Sequence, residues 1–200
     1  NANVKNTAIG GLAGDAIVGG TRNTLVGYQS GSAVSSGTDN TAIGHDAMVT
    51  GTGTGNTVVG SDAGKAIAGA DNVCVGLFAG TALADAPGNV LIGRSAGAAM
   101  TIGDYNVAIG WKAADAIVGD SNHNLAIGKD ALGAEASGAD YCIAIGSNAL
   151  TAQNDAAAVN LAIGVNAGDA ITSGTSNVLI GLEAGSAITT TSSNTALGRN

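Results

Sequence analysis

The residues able to do chemistry are few: two histidines, two cysteines, seven Lys or Arg and fifteen Asp or Glu in 200 residues. A metal centre needs several ligands within reach of one ion, and a nucleophile needs a base beside it. Gly60-Ser61-Asp62-Ala63-Gly64-Lys65-Ala66 comes nearest to a phosphate loop, but it is one residue short and lacks the hydroxyl that would hold Mg²⁺. Asp46, Asp62, Asp130, Asn148, Asn166 and Glu183 share one repeat position and are oxygen donors of the type Ca²⁺ takes. Phe78, Ser95 and Lys112 interrupt that series, which therefore reads as a solvated acidic face. No catalytic residue, metal site or cofactor is assigned. Tyr28, His45, Phe78, Arg94, Trp111 and Lys129 lie at the two most variable repeat positions and are the candidate contacts for a sugar ring or a partner.

The elements that position these residues are repeats. A glycine preceded by an apolar residue recurs at Gly10, Gly27, Gly44, Gly60, Gly76, Gly93, Gly110, Gly128, Gly146, Gly164, Gly181 and Gly198, at spacings of 16 to 18. Asn opens eleven of the twelve repeats, as Asn6, Asn23, Asn40, Asn56, Asn72, Asn89, Asn106, Asn124, Asn160, Asn177 and Asn194, with Cys142 in the remaining one. Residues 1–200 thus form a single repetitive segment with no linker.

The residue before each glycine is Ile or Val in eleven repeats and Leu197 in the last, and β-branching at that place favours a strand. Helices would require the invariant glycine inside a helical face, and coils of this length have no room for two of them. A hexapeptide triangular helix fails because Asp15 and Asp169 fall on its core positions. Each repeat is read as one coil of an all-β parallel solenoid, or β-roll, of about 12 coils. Its strand ends at a glycine corner. A second short strand is expected around the apolar Ile17, Val34, Ile67, Leu83, Met100, Ile117, Ile171 and Ile188, with Gly51, Glu135 and Gln153 breaking the series. The glycine column implies positive φ or a backbone contact that excludes Cβ, and the Asn column implies amides linked from coil to coil. In such a stack His45 and His123 lie four coils apart, as do Cys74 and Cys142, on the order of 20 Å. Neither pair can share a metal or a disulfide within the chain.

The β-branched positions are assigned to the coil interior. The residue between them, exemplified by Ala8, Ala42, Ala108, Ala126, Ala144, Ala162 and Ala196, is assigned to the opposite strand face. Apolar and uncovered in one chain, this alanine column is expected to pack against other copies in a homotrimer.

Composition narrows the partners. A net charge of −8 with scattered cations is poorly suited to nucleic acid, and no apolar run reaches the ~20 residues of a membrane span. Asn6 to Gly14 (NTAIGGLAG), Asn160 to Gly168 (NLAIGVNAG) and Asn177 to Gly185 (NVLIGLEAG) resemble the repeats of bacteriophage tail fibres, related to the Ser-Val-Ala-Ile-Gly head repeats of trimeric autotransporter adhesins. The resemblance covers all twelve repeats. It implies a homotrimeric β-roll, extracellular on a virion tail fibre or cell surface, serving as a non-enzymatic shaft or head in host attachment. Ala-Gly after the corner and the longer coils favour the phage form. A bacterial adhesin head or other extracellular filament is the alternative, and a solenoid polysaccharide-degrading enzyme is a weaker one, since its clustered carboxylates are missing here. The expected partners are further copies of the chain and a cell-surface glycan or receptor. Hydroxyl-rich loops such as 35–38, 50–54 and 189–193 would carry any O-linked glycan. Full motifs close to both ends, without polar capping repeats, suggest an internal part of a longer fibre.

Overall fold

In the computed structural model, which describes residues 5–134, 139–155 and 158–200, each repeat is one turn of a parallel β-solenoid. The strands are β1 (Thr7–Ile9), β2 (Thr24–Val26), β3 (Thr41–Ile43), β4 (Thr57–Val59), β5 (Val73–Val75), β6 (Val90–Ile92), β7 (Val107–Ile109), β8 (Leu125–Ile127), β9 (Ile143–Ile145), β10 (Leu161–Ile163), β11 (Val178–Ile180) and β12 (Thr195–Leu197). They pair in chain order as one twelve-stranded sheet. The register does not slip at any step: Thr7 faces Thr24, Thr24 faces Thr41, and so on to Val178 facing Thr195. The bonds run in both directions, Thr24 N–H donating to Asn40 O and Gly27 N–H to Ile9 O at 2.8 Å each.

The glycine corner explains the length of these strands. Corner glycines from Gly10 to Gly181 have φ between +131 and +141, which ends extended structure and which L side chains rarely adopt. Space is excluded as well: a Cβ on Gly60 would stand 2.5 Å from Gly76 O, and one on Gly110 at the same distance from Gly128 O. Both readings of the glycine column therefore hold.

The second strand does not form. After the corner the chain makes turns within one coil, with Ala79 N–H bonding Gly76 O and Leu83 N–H bonding Gly80 O. Outside the sheet the described residues hold one isolated bridge, Ala33 with Thr50. The apolar residues expected on that strand still face inward, and Val34, Ile67, Leu83, Met100, Ile117 and Ile171 are fully buried. Inward facing requires only that turn closure returns the chain to the same place in each coil.

The strand faces are inverted relative to the sequence reading. The middle residue points into the coil: Leu25, Ala42, Val58, Cys74, Leu91, Ala108, Ala126, Ala144, Ala162 and Leu179 have no exposed surface. Its neighbours point outward, with Ile9 60% and Ile43 40% exposed. The alanine column thus lies inside a single chain from Ala42 to Ala162, and only Ala8 and Ala196 in the end coils retain exposure. It is not a contact between chains. A coil of 16 to 18 residues is narrow, and a large side chain arriving from the turn segment leaves the strand's inward place to alanine in most coils.

That narrowness also resolves the broken apolar series. Most coils have glycine four residues past the corner and a large apolar residue three further on, as in Gly64 with Ile67 and Gly168 with Ile171. A Cβ on Gly64 would collide with the Ile67 methyl, and one on Gly168 would meet Ile171 Cδ1 at 3.2 Å. In the coils of Gly51 and Gln153 the glycine is replaced by Met48 and Leu150, both buried and both left-handed at φ 51. The turn segment can deliver its large apolar side chain from either place. The third break, Glu135, lies outside the described residues, but Leu132 occupies the earlier place in its coil and is buried.

Gly64→Leu should lower stability by about 2–4 kcal/mol, combining overpacking with left-handed strain. Combined with Ile67→Gly, it should recover most of what the two single variants lose, since the pair recreates the coil of Met48 and Gly51. A guanidinium denaturation cycle measures this coupling, and additive losses would contradict the exchange.

Candidate functional site

Beneath the surface runs the asparagine column, which links coil to coil. Asn23, Asn40, Asn56, Asn72, Asn89, Asn106, Asn124, Asn160 and Asn177 are buried. Most rungs share one pattern of donors and acceptors. The Asn40 main-chain N–H and Nδ2 both donate to Asn23 Oδ1, at 3.0 and 3.1 Å, and Asn40 Nδ2 also donates to Gly53 O of the next coil at 2.9 Å. Asp could not donate, so the column requires an amide.

Cys142 interrupts this chain of amides. Its main-chain N–H still donates to Asn124 Oδ1 at 2.8 Å, but it carries no amide oxygen for Asn160. Gln153, fully buried in the same coil, supplies one: Asn160 Nδ2 donates to Gln153 Oε1 at 2.7 Å. Two departures from the repeat are thus one substitution made in two places. Cys74 is buried in β5, four coils from Cys142, and burial pushes its thiol up to about 12.

The candidate contacts stand on the outer surface, and their rings pack along the stack. Tyr28 and His45, at the first position past the corner in adjacent coils, stack with centroids 5.3 Å apart. Trp111 carries Lys129 Nζ over its ring at 4.9 Å. Arg94 is exposed one coil before Trp111, and Phe78, 39% exposed, occupies the left-handed position beside this column at φ 60. A second series, which the sequence reading passed over, occupies the left-handed residue just before the asparagine. Tyr105, His123 and Tyr141 stack at 5.4 and 5.1 Å. Their signal was shared register: all three directly precede the opening residue of consecutive repeats. In both series a ring face that could stack on a sugar is taken by a side chain of a neighbouring coil.

No protein-family model, curated protein or solved structure matches the chain.

The charged groups form local pairs. Lys65 Nζ lies 3.0 Å from Asp62 and 3.4 Å from Asp46. The Lys65 hydrogen bond holds the Asp62 carboxyl below its usual range, and Asp62 in turn raises Lys65. Arg22 clamps Asp39 through two bonds of 2.5 and 2.6 Å, lowering that carboxyl, and Lys129 pairs with Asp130. In the proposed oxygen series Asn148 Nδ2 bonds Asn166 Oδ1 at 3.0 Å. Among the described residues no three His, Cys, Asp or Glu come together as metal ligands. Asp104 Oδ1, like Asp46 Oδ1 and Asp169 Oδ1, is buried without a hydrogen-bond partner, and burial, followed by Asp120 and Asp85, pushes the Asp104 carboxyl up. Asp115 is raised by burial despite Lys112 at 3.4 Å.

Gln153→Leu should cost about 1–3 kcal/mol by leaving a buried amide hydrogen without an acceptor. Adding Cys142→Asn should recover most of that loss in guanidinium denaturation, whereas the same substitution made elsewhere in a coil should not. A second expectation concerns pH. The folded chain holds the Asp104 proton more tightly than the unfolded chain, so this group's stabilising contribution is full at acid pH and is lost as pH rises through its raised pKa. Asp104→Asn should therefore raise Tm at pH 7, with the gain vanishing below about pH 3.

Proposed function

We propose that this chain is a structural fibre segment, a stiff shaft or head that holds attachment parts away from a virion or cell surface, and that it performs no catalysis. The observation carrying this reading is the unbroken register of twelve strands over a buried amide column. Such a stack is a rod on the order of 50 Å long at ~4.8 Å per coil. Its surface offers local ion pairs and ring stacks. The resemblance of NTAIGGLAG and its copies to phage tail fibre repeats supports the same reading and, with it, a segment outside the cell. Several copies assembled side by side, a homotrimer by that resemblance, would give the fibre its lateral stiffness.

Whole-coil deletion tests this reading. Removing residues 56–88 joins Gly55 to Asn89 in register and takes out two coils. Electron microscopy of the full protein should show the fibre shortened by about 10 Å, with surface attachment preserved. Loss of attachment in a folded, shortened fibre would place recognition in those coils, and release of sugar from a host polysaccharide by the intact protein would overturn the non-enzymatic reading.

A further inference from the structure

The sheet has an outward face that the sequence reading had assigned to the interior. Its two columns are the first and third residues of each strand, twenty-four positions occupied only by Thr, Val, Leu and Ile. None of them is buried in the single chain, and none carries a charge, whereas ion pairs stud the columns past the corner. The face is about 10 Å wide and over 50 Å long by strand geometry. That footprint is smaller than the ~800 Å² per partner of a typical stable interface. The column just past the corner, which borders this face, is mixed, with exposed Leu77, Val165 and Leu182 beside charged Arg94 and Lys129.

We infer that this face is where copies of the chain join, packed with parallel axes in the same direction and in register. The inference rests on the fibre reading and names the surface through which that fibre would assemble. A second copy is the occupant because it repeats at the same interval, so each coil finds an identical coil opposite along the whole length. A partner without that period would fall out of step within a few coils. With no charge on either side, the contact carries no repulsion between like groups.

Direction follows from how hydroxyls are distributed. The first column reads Thr7, Thr24, Thr41 and Thr57, then aliphatic residues from Val73 to Val178. Parallel alignment puts threonine beside threonine, where hydroxyls can bond one another, and aliphatic beside aliphatic. Antiparallel alignment would set Thr24, Thr41 and Thr57 against Val178, Leu161 and Ile143, burying hydroxyls without partners.

Cysteine trapping tests both surface and direction. Ile43→Cys and Ile163→Cys would be made separately in the full-length protein, and each treated with a short bis-maleimide. The native thiols are buried. Each variant alone should crosslink to itself, and a mixture should give few 43–163 products. Crosslinks only in the mixture would overturn the direction. Ile127→Glu should shift sedimentation from oligomer to monomer while leaving the β circular dichroism intact; if it fails to fold, trapping decides. An oligomer with neither crosslinking nor sensitivity to Ile127→Glu would overturn the surface and leave the fibre reading standing. A monomeric wild-type protein would overturn the inference and, with it, the assembly part of that reading.

Discussion

Neighbouring coils can bond along their whole circuit only where backbones approach to the interstrand distance, and at the corner every coil from Gly10 to Gly181 makes that approach through a glycine. With Gly76 O at 2.5 Å from where a Gly60 Cβ would stand, no other residue fits. The left-handed residue two places on follows from the same demand. Asp62, Phe78 and Lys112, chemically unrelated, all take φ between 53 and 60 there, and each donates its main-chain N–H to the preceding coil, as Asp62 does to His45 O at 2.9 Å. Left-handed backbone costs roughly 1–2 kcal/mol per residue, which such bonds offset. A Gly-rich, Ala-rich chain with few aromatics is the composition that this spacing selects.

Because coils contact only their neighbours, a departure from the repeat must be compensated nearby. Met48 opposite Gly51 and Gln153 for the amide missing at Cys142 both act within one coil. Ser30, the exception among the buried alanines, satisfies its hydroxyl on Ala42 O at 2.8 Å. A repeat protein of this kind tolerates variation coil by coil, provided the turn segment still fills each interior and the amide column keeps its acceptors.

Period, strand position, corner glycine and asparagine column were all legible in the sequence, since each is a matter of spacing. Which strand face lies inside was not. Period two separates Ile43 from Ala42 without saying which is buried, and hydrophobicity favours the larger residue, which here lies outside. The deciding signal was present but indirect: Met48 with Gly51 and Leu150 with Gln153 show that the turn segment supplies the filler, which restricts the strand's inward residue. The sequence suggests a second strand that does not form, because inward-facing Ile67 and Leu83 look alike in a strand and in a recurring turn. At the surface the positions of Tyr28 and Trp111 were legible, but the use of their ring faces was not, because that depends on what the adjacent coil carries at the same place.

Stacked columns also limit what such a surface can recognise. A ring at one coil has its neighbours at ~4.8 Å, so His123 packs between Tyr105 and Tyr141 and has little face left for a ligand. Concavity requires some coils to recede, and a register that never slips across twelve strands keeps successive coils level. What remains is a long, shallow, periodic surface, which discriminates by period more than by shape. Compact ligands find little enclosure there. Another stack with the same period does not need it, since many weak contacts repeated in step accumulate along the rod.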